Sequence, residues 1–222
     1  MVASAPVKEE VDDFALLEAW RGGDRQAGDD LFGRHFTGVY RFFRSKVDDV
    51  LAEDLTQATF LGCASGRDRF EKAASFRTYL FCIARNQLFM HFRKKGRADA
   101  IFDDKSVSVA DLGASPRTLA AARQEQRLLL EALRRIPVDF QIAIELYYWE
   151  GLSTPELAAV LEIPEGTVRS RLTRAREHLA RQIQTLAESS TQFETTMNDF
   201  EHWARSLRAL FSIGTADETP QA

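Results

Sequence analysis

The sequence predicts an all-α chain: two small helical domains joined by a flexible linker, with an amphipathic helix appended at the C-terminus. Three observations carry this. Apolar residues recur at helical spacing along most of the chain, while strand-like alternation is scarce. The stretch GRADAIFDDKSVSVADLGAS, residues 96–115, is rich in Gly, Asp, Ser and Ala and keeps no period, so it reads as a linker. A length of 222 residues with 45% hydrophobic and 28% charged side chains allows one large or two small globular domains.

The elements follow in order. Asp12 to Trp20 is a short amphipathic stretch (Phe14, Leu17, Trp20), broken at Gly22-Gly23-Asp24. A second helix is expected from about Arg25 to Val47, with Leu31, His35, Val39, Phe42 and Phe43 near helical spacing. A third follows Asp48-Asp49, with Leu51, Leu55, Ala58, Phe60 and Leu61 apolar and Glu53, Asp54 and Gln57 on the other side. Ser75 is placed to cap a long helix, FRTYLFCIARNQLFMHFRKK. The first domain is therefore drawn at 10–96 and the linker at 97–115.

Ser115-Pro116 has the N-cap and first-turn arrangement and opens a helix running to about Arg135. Pro137 breaks it, and Val138 to Trp149 form the next, ended by Gly151. Ser153-Thr154-Pro155-Glu156 is a capping box, in which the Ser hydroxyl and Glu carboxylate satisfy opposite orphan amides. A short helix, a break at Glu162-Ile163-Pro164-Glu165-Gly166 and a longer helix from Thr167 follow. With Leu157, Ala158, Leu161, Val168 and Leu172 facing inward, this is a helix-turn-helix, and the second domain is drawn at 116–184.

Charge is unevenly spread. The net charge is −4, yet residues 67–97 carry +7 and residues 164–181 carry +3, while 131–163 carry −4. Phosphate attraction depends on local charge, so an acidic chain with two basic islands has two candidate nucleic-acid footprints. On the second island, Val168, Leu172, Ala175 and Leu179 form the inward stripe; Ser170, Thr173, Arg174, Glu177 and Arg181 lie opposite, flanked by Arg169 and Arg171. Short polar and Arg side chains near a helix start reach base edges while outer arginines hold phosphates. Thr167 can present its hydroxyl or amide to phosphate. The first island interleaves Arg67, Arg69, Lys72, Arg77, Arg85, Arg93, Lys94 and Lys95 with Phe70, Phe76, Tyr79, Phe81, Phe89 and Phe92. Aromatic platforms beside a cationic groove are how unpaired bases are held; Phe76, Leu80, Ile83 and Ala84 share one face and are expected in the core.

Several classes are disfavoured. No run approaches the ~20 apolar residues of a membrane span, and MVASAPVKEEVDDF lacks the features of a secretory signal, so a cytoplasmic protein without membrane insertion is expected. Cys63 and Cys82 fit buried free thiols rather than a disulfide framework or a zinc site. His35, His91, His178 and His202 are scattered, with no phosphate loop and no nucleophile–base spacing, so no catalytic residue, metal or cofactor is assigned and an enzyme is not expected.

Two DNA-contacting segments joined by a linker resemble a bacterial sigma factor of the extracytoplasmic-function group in the sigma-70 family. AEDLTQATFL (52–61) is similar to the family's polymerase-contact helix, SFRTYLFCIARNQLFMHFRKK (75–95) to its promoter-melting segment, and residues 133–179, above all EGLS…IPEGTVRSRLTRAR, to its −35-reading domain. The resemblance implies a subunit that binds core RNA polymerase, through the β′ clamp helices and the β flap, and directs initiation at specific promoter DNA. It implies that Asp54, Leu55, Gln57 and Phe60 contact or shape the polymerase surface. Arg67, Arg69, Phe70, Lys72, Arg77, Asn86, Arg93, Lys94 and Lys95 would take the melted −10 strand, and Thr167, Arg169, Ser170, Arg171, Thr173, Arg174 and Arg176 would read the −35 groove. An anti-sigma factor is a further partner the resemblance admits. The pattern departs from the family at Met90, usually Asp, at Glu162, usually Gly, and at Gln141 and Tyr147, often Arg. A conventional helix-turn-helix regulator, or a protein that sequesters polymerase, are the alternatives.

The tail, 185–222, extends beyond the usual family length. Phe193, Met197, Phe200, Trp203, Leu207, Leu210 and Phe211 give an amphipathic helix over about 192–211. That much apolar area must be covered, by its own −35-reading domain or linker, by docking across both domains, or by a partner.

Overall fold

The computed structural model describes residues 12–71, 74–94 and 124–187, with scattered positions from 189 to 208. The expected linker, the start of the helix at Pro116 and most of the tail lie outside these residues. The elements are helices: α1 (Asp13–Arg21), α2 (Arg25–Arg44), α3 (Asp49–Gly66), a 3-10 turn (Arg67–Arg69) and α4 (Phe76–Lys94) in the first half. The second half has α5 (Gln124–Arg135), α6 (Val138–Tyr148), α7 (Thr154–Leu161) and α8 (Glu165–Leu186).

The caps are those the sequence encodes. Asp24 accepts from the amides of Gln26 and Ala27 at 2.9 and 3.3 Å, and Asp48 from that of Leu51 at 2.9 Å. Ser75 accepts from the Thr78 amide at 3.1 Å, and the capping box of Ser153 and Glu156 forms. α2 stops at Arg44 rather than Val47, and α8 starts at Glu165, two residues before Thr167, because Pro164 supplies the fixed φ of a helix start. Gly28 lets α1 and α2 approach: a Cβ there would stand 2.7 Å from the Trp20 indole.

Two buried clusters hold the chain. One contains Leu17, Leu31, Phe43, Phe76, Phe81 and Leu88 of the first half and continues without a break into Val138, Ile142, Leu157, Val160, Leu161 and Val168. The other packs Leu129, Leu133, Phe140, Ile144, Leu179 and Ile183, together with Met197 and Phe200 of the tail. α6 lies between them, buried at ten of its eleven positions, which is why its apolar pattern has no polar face. The halves joined by the linker are thus packed on each other.

That boundary is lined with polar pairs. The Lys46 ammonium donates to the Glu145 carboxylate, both fully buried, and to Phe42 O and Ser45 Oγ at 2.7 and 2.9 Å. Gln141 Nε2 donates to Glu145 Oε1 at 2.7 Å. Gln141 is fully buried here, so it does not thin a basic surface; the neighbouring Tyr147 is exposed. Arg41 Nε donates to Glu150 Oε1 at 2.9 Å, and Gly38 sits so close that a Cβ would meet Glu150 Oε2 at 3.2 Å. Burial pushes the Glu145 carboxyl up and the Lys46 ammonium down, each opposed by the other's charge.

Candidate nucleic-acid interface

The helix-turn-helix is assembled by α7, its turn and α8. Leu157, Leu161, Val168 and Leu172 are buried as expected, with Ala158 half-buried. Glu162 ends α7 at φ 55, ψ 44, a left-handed conformation that favours glycine. α8 then presents Thr167, Arg169, Ser170, Thr173 and Arg174 to solvent. Ser170 Oγ donates to Thr167 O at 2.8 Å and Thr173 Oγ1 to Arg169 O at 3.1 Å, so each hydroxyl still offers acceptor lone pairs outward.

Two of the expected −35 residues turn toward the protein. Arg171 is half-buried with Nη1 3.3 Å from Asp139 Oδ2, and Arg176 donates to the Tyr148 hydroxyl while its guanidinium lies over the Tyr148 ring. They fall on the inner shoulder of α8, where Asp139 and Tyr148 of α6 capture them. Burial raises the Asp139 carboxyl, while Arg171 and Arg85 pull it down.

The first basic island is divided in the same way. Arg69, Asn86, Arg93 and Lys94 are exposed. Asn86, Met90 and Arg93 lie four and three residues apart on one face of α4, and Met90, 48% exposed, stands in the middle of that polar stripe. Arg67 is half-buried, with its guanidinium 4.9 Å from the Trp20 ring. Arg21 Nε donates to Arg67 O at 3.0 Å and Nη2 to Phe70 O at 2.6 Å, which fixes the loop that carries Arg67 and Arg69. Phe70 is not a stacking platform: it is buried against Tyr79, Phe76 and Phe14, with the Tyr79 ring 4.4 Å away. Arg77 donates through Nη1 to Glu150 O at 2.8 Å. Lys72 and Lys95 lie outside the described residues.

On α3, Asp54 and Gln57 are exposed, whereas Leu55 and Phe60 are 7% and 8% exposed and belong to the core. The latter two shape the surface from beneath and do not form it. The apolar part of that surface is Val50 and Leu61, 72% and 67% exposed, with Phe36 of α2 stacked on Phe60 at 6.0 Å. Val50, Asp54, Gln57 and Leu61 recur at intervals of four, three and four on one stripe. Val50 and Leu61 count as core on hydropathy alone; their spacing with Asp54 and Gln57 is the signal that sets them on the surface.

The thiols are free. Cys63 is buried, which pushes it up to about 12, and Cys82 is half-buried. Among the described residues no His, Cys, Asp or Glu group is arranged to hold a metal, and no helix is long and apolar enough to cross a membrane.

Residues 31–98 match the family model for sigma-70 region 2, and residues 126–179 match the model for sigma-70 region 4. Over 188 residues the chain is 28% identical to the ECF RNA polymerase sigma-E factors of Escherichia coli and Salmonella typhimurium, covering 81% of this chain and 98% of each relative. The factor of that name from Haemophilus influenzae is 29% identical over 187 residues, covering 80% and 98%. The chain belongs to the extracytoplasmic-function sigma factors. This sigma factor is also similar in structure to the sigma factor RpoE of Bartonella quintana, solved in complex with the anti-sigma factor NepR. The TM-score is 0.55 at 25% identity, over 70% of this chain and 96% of that one. CnrH, solved with the cytosolic domain of CnrY, gives 0.53 at 25% identity, over 79% and 99%. This sigma factor directs promoter-specific transcription, and its family is not a class of enzymes.

Proposed function

We propose that this chain acts in the cytoplasm, docking on core RNA polymerase through the α3 stripe and reading a promoter with two separate surfaces. Val50, Asp54, Gln57 and Leu61 make the polymerase contact, an apolar pair flanking polar groups, supported from below by Leu55 and Phe60. The exposed face of α8, Thr167, Arg169, Ser170, Thr173 and Arg174, enters the −35 major groove. Arg69, Asn86, Arg93 and Lys94, with Arg67 beside them, take the −10 strand. The observation that carries this reading is the order of exposure along α8: short hydroxyls and arginines alternate on its free N-terminal face while its apolar stripe is buried. An anti-sigma factor, as in the complex of the Bartonella quintana sigma factor RpoE, is a partner that fits the same two-half architecture.

The test is in-vitro transcription with purified core polymerase and a promoter library. Initiation at a defined promoter class, lost on Leu61→Glu and on Arg174→Ala, is the expected result. A chain that binds duplex DNA but neither binds core nor supports initiation overturns the reading in favour of a conventional regulator.

A further inference from the structure

We propose that Phe200 of the tail is a positioning residue for DNA binding: through Tyr148 it holds Arg176 of α8 against the protein, and so sets how many phosphates the helix contacts. The inference rests on the assignment of α8 to DNA.

The region 4 match ends at residue 179, and the tail residues that pack on the second half lie beyond it. Glu194, Asn198 and His202 recur every four residues and are exposed, whereas Thr196 and Phe200, also four apart, are buried. Phe200, with Met197 beside it, completes the apolar cluster of Leu133, Ile144, Leu179 and Ile183.

The Phe200 ring stands edge-on to Tyr148, with centroids 5.3 Å apart and planes at 90°. Tyr147 meets the Tyr148 ring edge-on as well, at 4.9 Å. Tyr148 is thereby fixed by two rings and is only 6% exposed. Its hydroxyl accepts from Arg176 Nη2, and Arg176 Cζ lies 5.5 Å from the centre of its ring.

On α8, Arg176 follows Arg169 by seven residues and Thr173 by three, so it stands on the line that carries two exposed groups of the DNA-facing side. An arginine on that line reaches phosphate unless something draws it back. Tyr148 draws it back, and the held position is not fully satisfied: Arg176 Nε is buried with no hydrogen-bond partner among the described residues. The cation–π contact that offsets this strengthens as water is excluded, and Phe200 supplies part of that exclusion. Tyr148 and phosphate thus draw on one guanidinium, and with Phe200 in place the protein keeps it.

The experiment is a band-shift titration over a series of salt concentrations, using holoenzyme saturated with each full-length variant and the promoter duplex that library transcription selects. Polymerase contacts are common to all forms and cancel in the comparison. Each phosphate neutralised steepens the fall of log affinity with log salt by about 0.9. Phe200→Ala is expected to steepen it by about that amount and to tighten binding at low salt. Arg176→Ala is expected to leave the wild-type slope unchanged, and Phe200→Ala/Arg176→Ala to lose the gain. Far-UV circular dichroism checks the fold; if Phe200→Ala loses helix, Tyr148→Phe, which keeps the ring and deletes the acceptor, replaces it with the same expectation. An unchanged slope in the releasing variant overturns the inference, as does a gain that survives loss of Arg176, or a slope that falls in Arg176→Ala alone. Arg174→Ala is scored separately. If it weakens binding while Phe200→Ala changes nothing, α8 stays on the DNA and only the role of the tail falls. If Arg174→Ala changes neither slope nor affinity, the assignment of α8 falls and takes the inference with it.

Discussion

Glu162 closes α7 in a left-handed backbone conformation and holds its carboxylate 3.2 Å from the Arg85 guanidinium of α4. The departure from glycine at this turn thus brings a residue that reaches across the boundary between the halves. The backbone costs about 1 kcal/mol relative to Gly, and an ion pair whose carboxylate is mostly exposed returns no more than about that. Glu162→Ala keeps the strain and loses the pair, whereas Glu162→Gly loses both. Urea denaturation is expected to place the Gly variant about 1 kcal/mol above the Ala variant, and equal midpoints would contradict this account.

Glu156 governs an acid-sensitive contact. Burial raises its carboxyl, but hydrogen bonds from the Ser153 amide and hydroxyl and from the Ser75 and Thr78 hydroxyls outweigh that and bring it to about 2. A carboxyl held below its unfolded value adds stability that is fully present above about pH 4.5 and is lost as pH falls toward 2. Thermal melts over that window are expected to decline in the wild type and to be flatter in Glu156→Gln. Parallel pH profiles for the two proteins would remove Glu156 as the cause.

The α3 stripe separates binding from stability. Leu61→Glu is expected to weaken capture by immobilised core polymerase about tenfold or more while the unfolding midpoint stays within about 0.5 kcal/mol of wild type. Leu55→Ala, one position removed from Asp54, is expected to cost about 2–5 kcal/mol of stability instead. Loss of stability in Leu61→Glu would mean that the stripe is core.

Gly28 is required by the approach of Trp20. Gly28→Ala puts a methyl group 2.7 Å from the indole, and overpacking of this kind costs about 1–3 kcal/mol. Calorimetry on the full chain measures it, and an unchanged melting temperature would show that the indole has room to move aside.

On α8, Arg174→Ala is expected to cost about 1–3 kcal/mol against the selected promoter. Arg171→Ala should cost less at saturating core, since Arg171 is already turned to Asp139. Band-shift titration with the initiation-competent holoenzyme distinguishes them, and the reverse order would place Arg171 in the groove.

Much of the architecture was legible because it is local. The caps at Ser75 and Ser153, the breaks at Gly22-Gly23-Asp24 and Pro137, and the inward stripe of α8 all follow from residues within one or two turns. The solvent-facing positions of α8 were legible for the same reason. Phe70 is in the core, and Leu55 and Phe60 can shape the α3 surface only from beneath; aromatic and apolar side chains beside charges read alike whether they stack on a ligand or on a core. Val50 and Leu61, apolar and exposed, are the converse case.

The sequence by itself determined the helices, their caps, the helix-turn-helix and the two basic islands, since each depends on periodicity and charge within a short segment. Only the tertiary structure decided that Lys46 meets Glu145 across 99 residues of chain, that Gln141 is buried, and that Arg77, Arg85 and Arg171 face acceptors of their own chain. These pairings depend on which helix faces are brought together after the linker, and residue spacing along one helix carries no information about the face it will meet.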